Sequence, residues 1–173
     1  GASIKIVIVS DGSKGVAVGK HAPHDLPLIR MDETQAALAG VTGDVLTLSQ
    51  PDGVLRMDAD LMTNIETMIL HHRPELVVSH YVDPMGIDHN DHRVIGAAVR
   101  NICFRKPFVK TMLSCEPIQP HTDFNPTLFV EITAQFEEKC AALEMHASQA
   151  GRIYLSPAST RSRASRCMRL DSE

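Results

Sequence analysis

Several things are missing from this 173-residue chain, and each absence removes a class of function. No apolar run approaches the roughly 18–20 residues that span a bilayer, and no secretory signal opens the chain, so a membrane role is not expected. Lys and Arg number 17 against 21 Asp and Glu, a formal net charge of −4. Without a basic excess, a nucleic-acid partner is not expected either. The four cysteines, Cys103, Cys115, Cys140 and Cys167, lie far apart and form no C-x-x-C pair. That argues against a zinc knuckle and against a disulfide framework, and makes reduced thiols in a cytoplasmic protein the expectation. No G-x-G-x-x-G or P-loop follows a strand, since Ser-Asp-Gly-Ser-Lys-Gly (residues 10–15) is too short and irregular, so a generic nucleotide-binding domain has no support. Internal repeats and low-complexity blocks are absent as well.

What remains is an ordinary globular composition, 43% hydrophobic and 22% charged. A chain of this length suits a single domain over residues 1–173 and buries about two-thirds of its unfolded surface. The pattern along it alternates. Ile4–Val9 reads as a β-branched strand that runs into a turn, and Val16–Pro27 as a loop. Arg30–Gly40 fits a helix closed by its glycine, and Asp44–Leu48 a second strand. Leu61, Ile65, Met68 and Ile69 recur at helical spacing between Asp60 and His72, with Pro74 as the stop. Glu75–His80 is a third strand. A helix then carries Val94, Ile95, Ala98, Val99 and Ile102 on one side. Val109–Leu113 and Thr127–Ile132 look like later strands, and Thr133–Gln149 like a helix with Phe136, Cys140 and Leu143 inward. Alternation of this kind predicts an α/β fold, a Rossmann-like layered arrangement with a mostly parallel central sheet flanked by helices. The Arg-rich tail (Arg161, Arg163, Arg166, Arg169) reads as a solvated face, with an anionic partner as the minor alternative.

The chemistry concentrates after the third strand. His80, Asp83, Asp88, His89, Asp91 and His92 fall in one loop that feeds directly into a helix, where ligands gather in open α/β sheets. A polar loop ahead of a helix calls for one cap, such as Asn90 or Asp91. Two histidines flanking an aspartate exceed that need. Neutral imidazole is a good zinc ligand, a catalytic zinc takes about three protein ligands, and a neighbouring carboxylate can orient a histidine. Spacing alone leaves both readings open: a single-metal hydrolytic site, or a structural loop.

His89–Arg100, H-N-D-H-R-V-I-G-A-A-V-R, resembles the second metal motif of the PIG-L/LmbE-like N-acetylglucosaminyl deacetylases. Other segments agree in order: I-V-I-V-S-D-G-S-K-G with the family's strand and T-D-G turn, R-M-D-E-T-Q-A-A-L-A-G-V with its first Arg-bearing helix, and S-Q-P-D-G-V-L with its P-D-G turn. Pro126–Gln149 resembles the F-V-D-I-T and H-x-S-Q region, and Arg163–Glu173 the closing element. The resemblance implies a zinc-dependent hydrolase that removes the N-acetyl group from an N-acetylglucosamine-containing small molecule or glycoconjugate. His92 would be a metal ligand for Zn²⁺ or another divalent ion. Asp91 would orient the catalytic machinery, and His89 would be the imidazolium that steadies the oxyanion. Arg30 and Asp52 would contact the sugar. Their bland counterparts are an exposed Arg30–Glu33 pair and an ordinary turn at Asp52.

The family's first motif, A-H-P-D-D-E, which supplies the other metal ligands and the general base, does not occur. Ala22–Pro27 matches it only superficially. The expectation is a longer protein whose first strand, motif and helix precede Gly1, with a non-catalytic sugar-binding or scaffold relative as the alternative. Loops Val16–Pro27 and Ser114–Asn125 are expected to shape substrate choice, the amino sugar is the expected partner, and assembly into a homo-oligomer is left open.

Overall fold

The computed structural model describes residues 2–15, 24–41, 43–117 and 124–165. The chain divides into two compact units. One comprises Val7–Asp11 and Leu46–Asn125, the other Gly1–Ile6, Gly12–Val45 and Pro126–Glu173. Two strands run through both: β1 (Lys5–Ser10) and β2 (Asp44–Gln50) pair with each other. Asp44 N donates to Ile4 O at one end and Asp11 N to Gln50 O at the other, the spacing of a parallel pair.

The unit built on Leu46–Asn125 holds the larger core. β3 (Leu76–His80) lies parallel to β4 (Thr111–Cys115), in register from Leu76 opposite Thr111 to His80 opposite Cys115. Two helices, α2 (Ala59–His72) and α3 (Asn90–Cys103), pack with them. Helix α2 starts where Asp58 accepts the Leu61 amide at 3.0 Å, satisfying one of the first-turn donors a helix leaves unpaired. It ends at Arg73, whose left-handed backbone (φ 46°) returns its amide to Ile69 O just before Pro74. The apolar stripes read from the sequence meet here. Leu61, Ile65 and Ile69 from α2 are buried with Ala98, Val99 and Ile102 from α3, together with Val9 and Leu55, and Val77 and Met112 pack against them. The close approach of α3 to β3 needs Gly96, where an added Cβ would stand 2.7 Å from the His80 carbonyl oxygen.

In the other unit, α1 (Leu26–Ala37) begins four residues ahead of the Arg30 start that the pattern suggests, because Pro27 sits in its first turn, where a missing N–H costs nothing. Helix α4 (Phe136–Glu144) buries Phe136 and Cys140 as expected, but it is short. The 17 residues expected as one helix break into a 3₁₀ turn (Thr133–Gln135), α4, and a second 3₁₀ turn (Ala147–Gln149). After a third such turn (Ile153–Leu155), α5 (Pro157–Ser165) closes the described chain. Its Arg161 bonds Glu137 at 2.9 Å and covers the Phe136 ring at 4.5 Å, so this member of the Arg-rich tail has protein partners. Arg166 and Arg169 lie outside the described residues, as do Cys167, most of the Val16–Pro27 loop and half of the Ser114–Asn125 loop.

The α/β class and the parallel pairing follow the sequence. The single central sheet does not: the described residues form two separate two-stranded sheets, β1–β2 and β3–β4. Alternating strands and helices predict parallel neighbours but carry no record of which strand lies beside which. Thr127–Ile132, read as a strand, joins neither sheet, and its Leu128, Phe129 and Val130 are exposed. A strand pattern without a neighbour to take its ladder stays an extended segment. No helix among the described residues is long and apolar enough to cross a membrane.

Candidate active site

The segment from β3 to α3 is a turn organised around one carboxylate. Asp83, 3% exposed, accepts the amides of Met85 and Asp88, both at 2.8 Å, and also that of Ile87. Three backbone donors on one buried side chain fix the path of residues 84–88 and offset the cost of burying the charge. Gly86, with φ 75°, supplies the left-handed residue this tight path requires. The turn delivers Asp88 and His89 to the start of α3.

Asp88 then holds His92. Its Oδ1 lies 3.1 Å from His92 Nδ1, one helical turn on. The same oxygen accepts the His89 amide at 2.7 Å. A carboxylate facing Nδ1 fixes the proton there and leaves the Nε2 lone pair as the ring's donor site. The His80 ring stacks on His92, with centroids 4.3 Å apart and planes 8° from parallel. Burial, reinforced by the neighbouring His92 and opposed by Asp88, pushes the His80 imidazole down to about 4, so it is neutral at pH 7. His89 is the N-cap of α3, and its Nδ1 accepts the Asp91 amide at 3.3 Å. An accepting Nδ1 places the ring's proton on Nε2, which makes His89 a hydrogen-bond donor at its outer edge. Its ring centroid lies 5.4 Å from that of His92.

Asp91 faces elsewhere. It is 3% exposed, and its oxygens take the Gly53 amide at 2.6 Å, the Leu55 amide at 3.1 Å and the Asn90 side-chain amide at 3.2 Å. No histidine is among these partners. Asp91 thereby ties the P-D-G turn to the first turn of α3. That turn is linked in addition to the S-D-G turn, through the Asp52 amide, which donates to Asp11 Oδ1 at 3.1 Å. The structure thus brings Asp52, Asp88, His89, Asp91 and His92 into one connected region of one unit. His80 and Asp83, which the pattern of the loop singled out without a definite role, prove to be its stacking partner and its organiser. No spacing rule carries either fact.

Arg30 belongs to the other unit. Its guanidinium lies against the turn at Gly12 and Gly15, where a Cβ on Gly12 would come within 2.6 Å of Nη1. Arg30 Nε is buried with no hydrogen-bond partner among the described residues. The Arg30–Glu33 pair considered from the sequence is not formed. Glu33 instead accepts the Ser148 amide at 2.6 Å and the Ser148 hydroxyl at 2.7 Å, with His146 Nδ1 at 3.9 Å.

A catalytic zinc takes about three protein donors converging on one point. Among the described residues no three His, Cys, Asp or Glu side chains do so. His92 Nε2 is one suitably prepared donor. The stacked His80 cannot supply a second in this arrangement, because the lone pairs of parallel rings run side by side and do not meet. The donors present therefore do not make a complete zinc site.

Solved structures that share the fold include the following three. A 4-carboxy-2-hydroxymuconate hydratase, GalB, from Pseudomonas putida KT2440 matches with a TM-score of 0.76 at 22% identity, over 97% of this chain and 78% of its own. The N,N′-diacetylchitobiose deacetylase from Pyrococcus horikoshii matches at 0.70 and 20%, over 84% and 59%. The conserved protein TT1542 from Thermus thermophilus matches at 0.67 and 19%, over 92% and 70%. This chain thus spans about three-fifths of the deacetylase's length. No curated protein matches it by sequence. Residues 1–103, which include β1, the P-D-G turn, the Asp83-centred turn and all of α3, match the family described as PIG-L, GlcNAc-PI de-N-acetylase. With well over half its length so matched, the chain belongs to the PIG-L family.

Proposed function

We propose that the protein is a deacetylase-type hydrolase that removes the N-acetyl group from an N-acetylglucosamine-containing small molecule or glycoconjugate. Family membership supports the reaction class. The observation that carries the site is the Asp88–His92 pair, in which a carboxylate on Nδ1 readies Nε2 as a ligand atom. In this reading Zn²⁺ is the cofactor, His92 is one of its ligands, and the remaining donors come from outside the described cluster. A divalent ion would supply a Lewis acid for the amide carbonyl. The chain's own residues do the rest. His89 presents Nε2–H to the oxygen on which charge develops, and Asp91 positions the 52–55 backbone beside it. Arg30 and Asp52 are the sugar contacts in the same reading.

A second reading, a hydratase acting on an unsaturated carboxylate, is favoured by coverage, since the GalB structure takes in nearly the whole chain. One experiment separates the two. The full-length protein, equilibrated with Zn²⁺, is given N,N′-diacetylchitobiose and N-acetylglucosaminides in one arm and 4-carboxy-2-hydroxymuconate in the other. Release of acetate and free amine supports the deacetylase. Loss of the conjugated acid's ultraviolet absorbance without amine release supports the hydratase.

A further inference from the structure

The unit that carries the histidine cluster contains a cavity in which none of those histidines takes part. It lies between the C-terminal end of α3, the 104–110 turn and β4, and measures about 730 Å³, within the roughly 300–1,000 Å³ of small-molecule sites. Val82, Pro84, Val109 and Met112 give it apolar walls, and Phe104, 92% exposed, stands at its rim. Three cations also line it: Arg100, Lys106 and Lys110.

Those cations differ in what they have left to offer. Lys106 bonds Glu66, and that ammonium beside it holds the Glu66 carboxyl below the usual carboxylate range. Lys110 bonds Glu75 at 2.7 Å. Each lysine therefore already has a carboxylate partner. The Arg100 guanidinium has no carboxylate or other hydrogen-bond partner among the described residues, and the residue is exposed at the last turn of α3. The cavity thus combines an apolar interior with one uncompensated guanidinium, in a chain whose overall charge is −4. A guanidinium presents two parallel N–H groups that match a carboxylate.

The wall is built in advance. At one end Asp83 accepts the amides of Met85, Ile87 and Asp88, which fixes the turn from Pro84 onward, and at the other the Tyr81 ring meets Phe124 edge-on at 5.1 Å. A preformed wall spares a ligand the entropy of ordering it.

We propose that this cavity binds a small amphipathic carboxylate, its carboxylate paired with Arg100 and its aryl or alkyl body laid along Val82, Pro84, Val109 and Met112. The site is separate from the histidine cluster and does not depend on the deacetylase reading. Titration calorimetry of the full-length protein with phenylbutyrate, hexanoate and the neutral phenylbutyramide tests it. Saturable one-to-one binding is expected, with phenylbutyrate stronger than hexanoate if the occupant is aryl and the reverse if it is alkyl. Arg100→Gln should weaken binding by about tenfold or more, the scale of a lost charge-assisted pair. Arg100 is exposed, so the fold should survive, and an unchanged melting temperature checks that. Met112→Trp, which fills the interior, should also abolish binding, while His92→Ala, outside the lining, should leave it within about twofold. Absence of saturable binding, equal binding of acid and amide, indifference to Arg100→Gln, or loss in His92→Ala would each overturn the proposal.

Discussion

Asp91, in the first turn of α3, holds the amide of Gly53 at 2.6 Å across a sequence separation of 38 residues. One side chain thereby couples the start of α3, which carries His89 and His92, to the turn that carries Asp52. The carboxylate also takes the Leu55 amide, so its loss strands two backbone donors in a buried place. Each costs about 1–3 kcal/mol. Asp91→Ala is expected to destabilise the protein by about 2–4 kcal/mol and to lower its melting temperature by roughly 5–15 °C. Asp91→Asn, which keeps one accepting oxygen, should lose about half as much. Thermal denaturation checks both; an Asp91→Ala protein that melts like the parent would contradict this account of Asp91.

The approach of α3 to β3 makes a second prediction. At Gly96 a methyl group would meet the His80 carbonyl oxygen at 2.7 Å, with the Tyr81 carbonyl oxygen at 3.3 Å, and both are backbone atoms that cannot rotate away. Although alanine favours a helix over glycine, Gly96→Ala should cost about 1–3 kcal/mol by overpacking. A urea melt with a lower midpoint and unchanged slope is the expected result.

His80 makes stability depend on pH in a defined window. Its folded imidazole takes a proton only near pH 4, whereas in the unfolded chain it does so near the ordinary 6.5. Between those values the unfolded state holds the extra proton, so stability falls as pH drops from 6.5 toward 4 and gains nothing further above 6.5. In metal-free protein, His80→Gln should flatten that slope in denaturant melts taken from pH 4 to 7. An equal slope in the variant would show that His80 is not the titrating group.

Much of this was readable in the residues, for a physical reason. Helices α2 and α3 announce themselves because core burial repeats at the helical period, and the predicted Leu61, Ile65, Ala98, Val99 and Ile102 are the residues found inside. The region around His89–His92 stood out because it holds more titratable groups than a cap needs. Partner choice was not readable. Nothing in the spacing says that Asp88, rather than Asp91, faces His92, since both are within reach of the ring until the Asp83-centred turn fixes the loop. Thr127–Ile132 misled for the same reason: its apolar, β-branched and aromatic residues suit a strand, but strandhood depends on a neighbour that local sequence does not name.

The central claim is that His92 Nε2, readied by Asp88, binds a divalent ion. Zinc content per chain, measured by elemental analysis after equilibration with Zn²⁺ and dialysis, tests it most directly in the full-length protein and in His92→Ala and His89→Ala. The account predicts about one zinc per parent chain, none retained by His92→Ala, and parent-like zinc with lowered turnover in His89→Ala. Undiminished zinc in His92→Ala would contradict it.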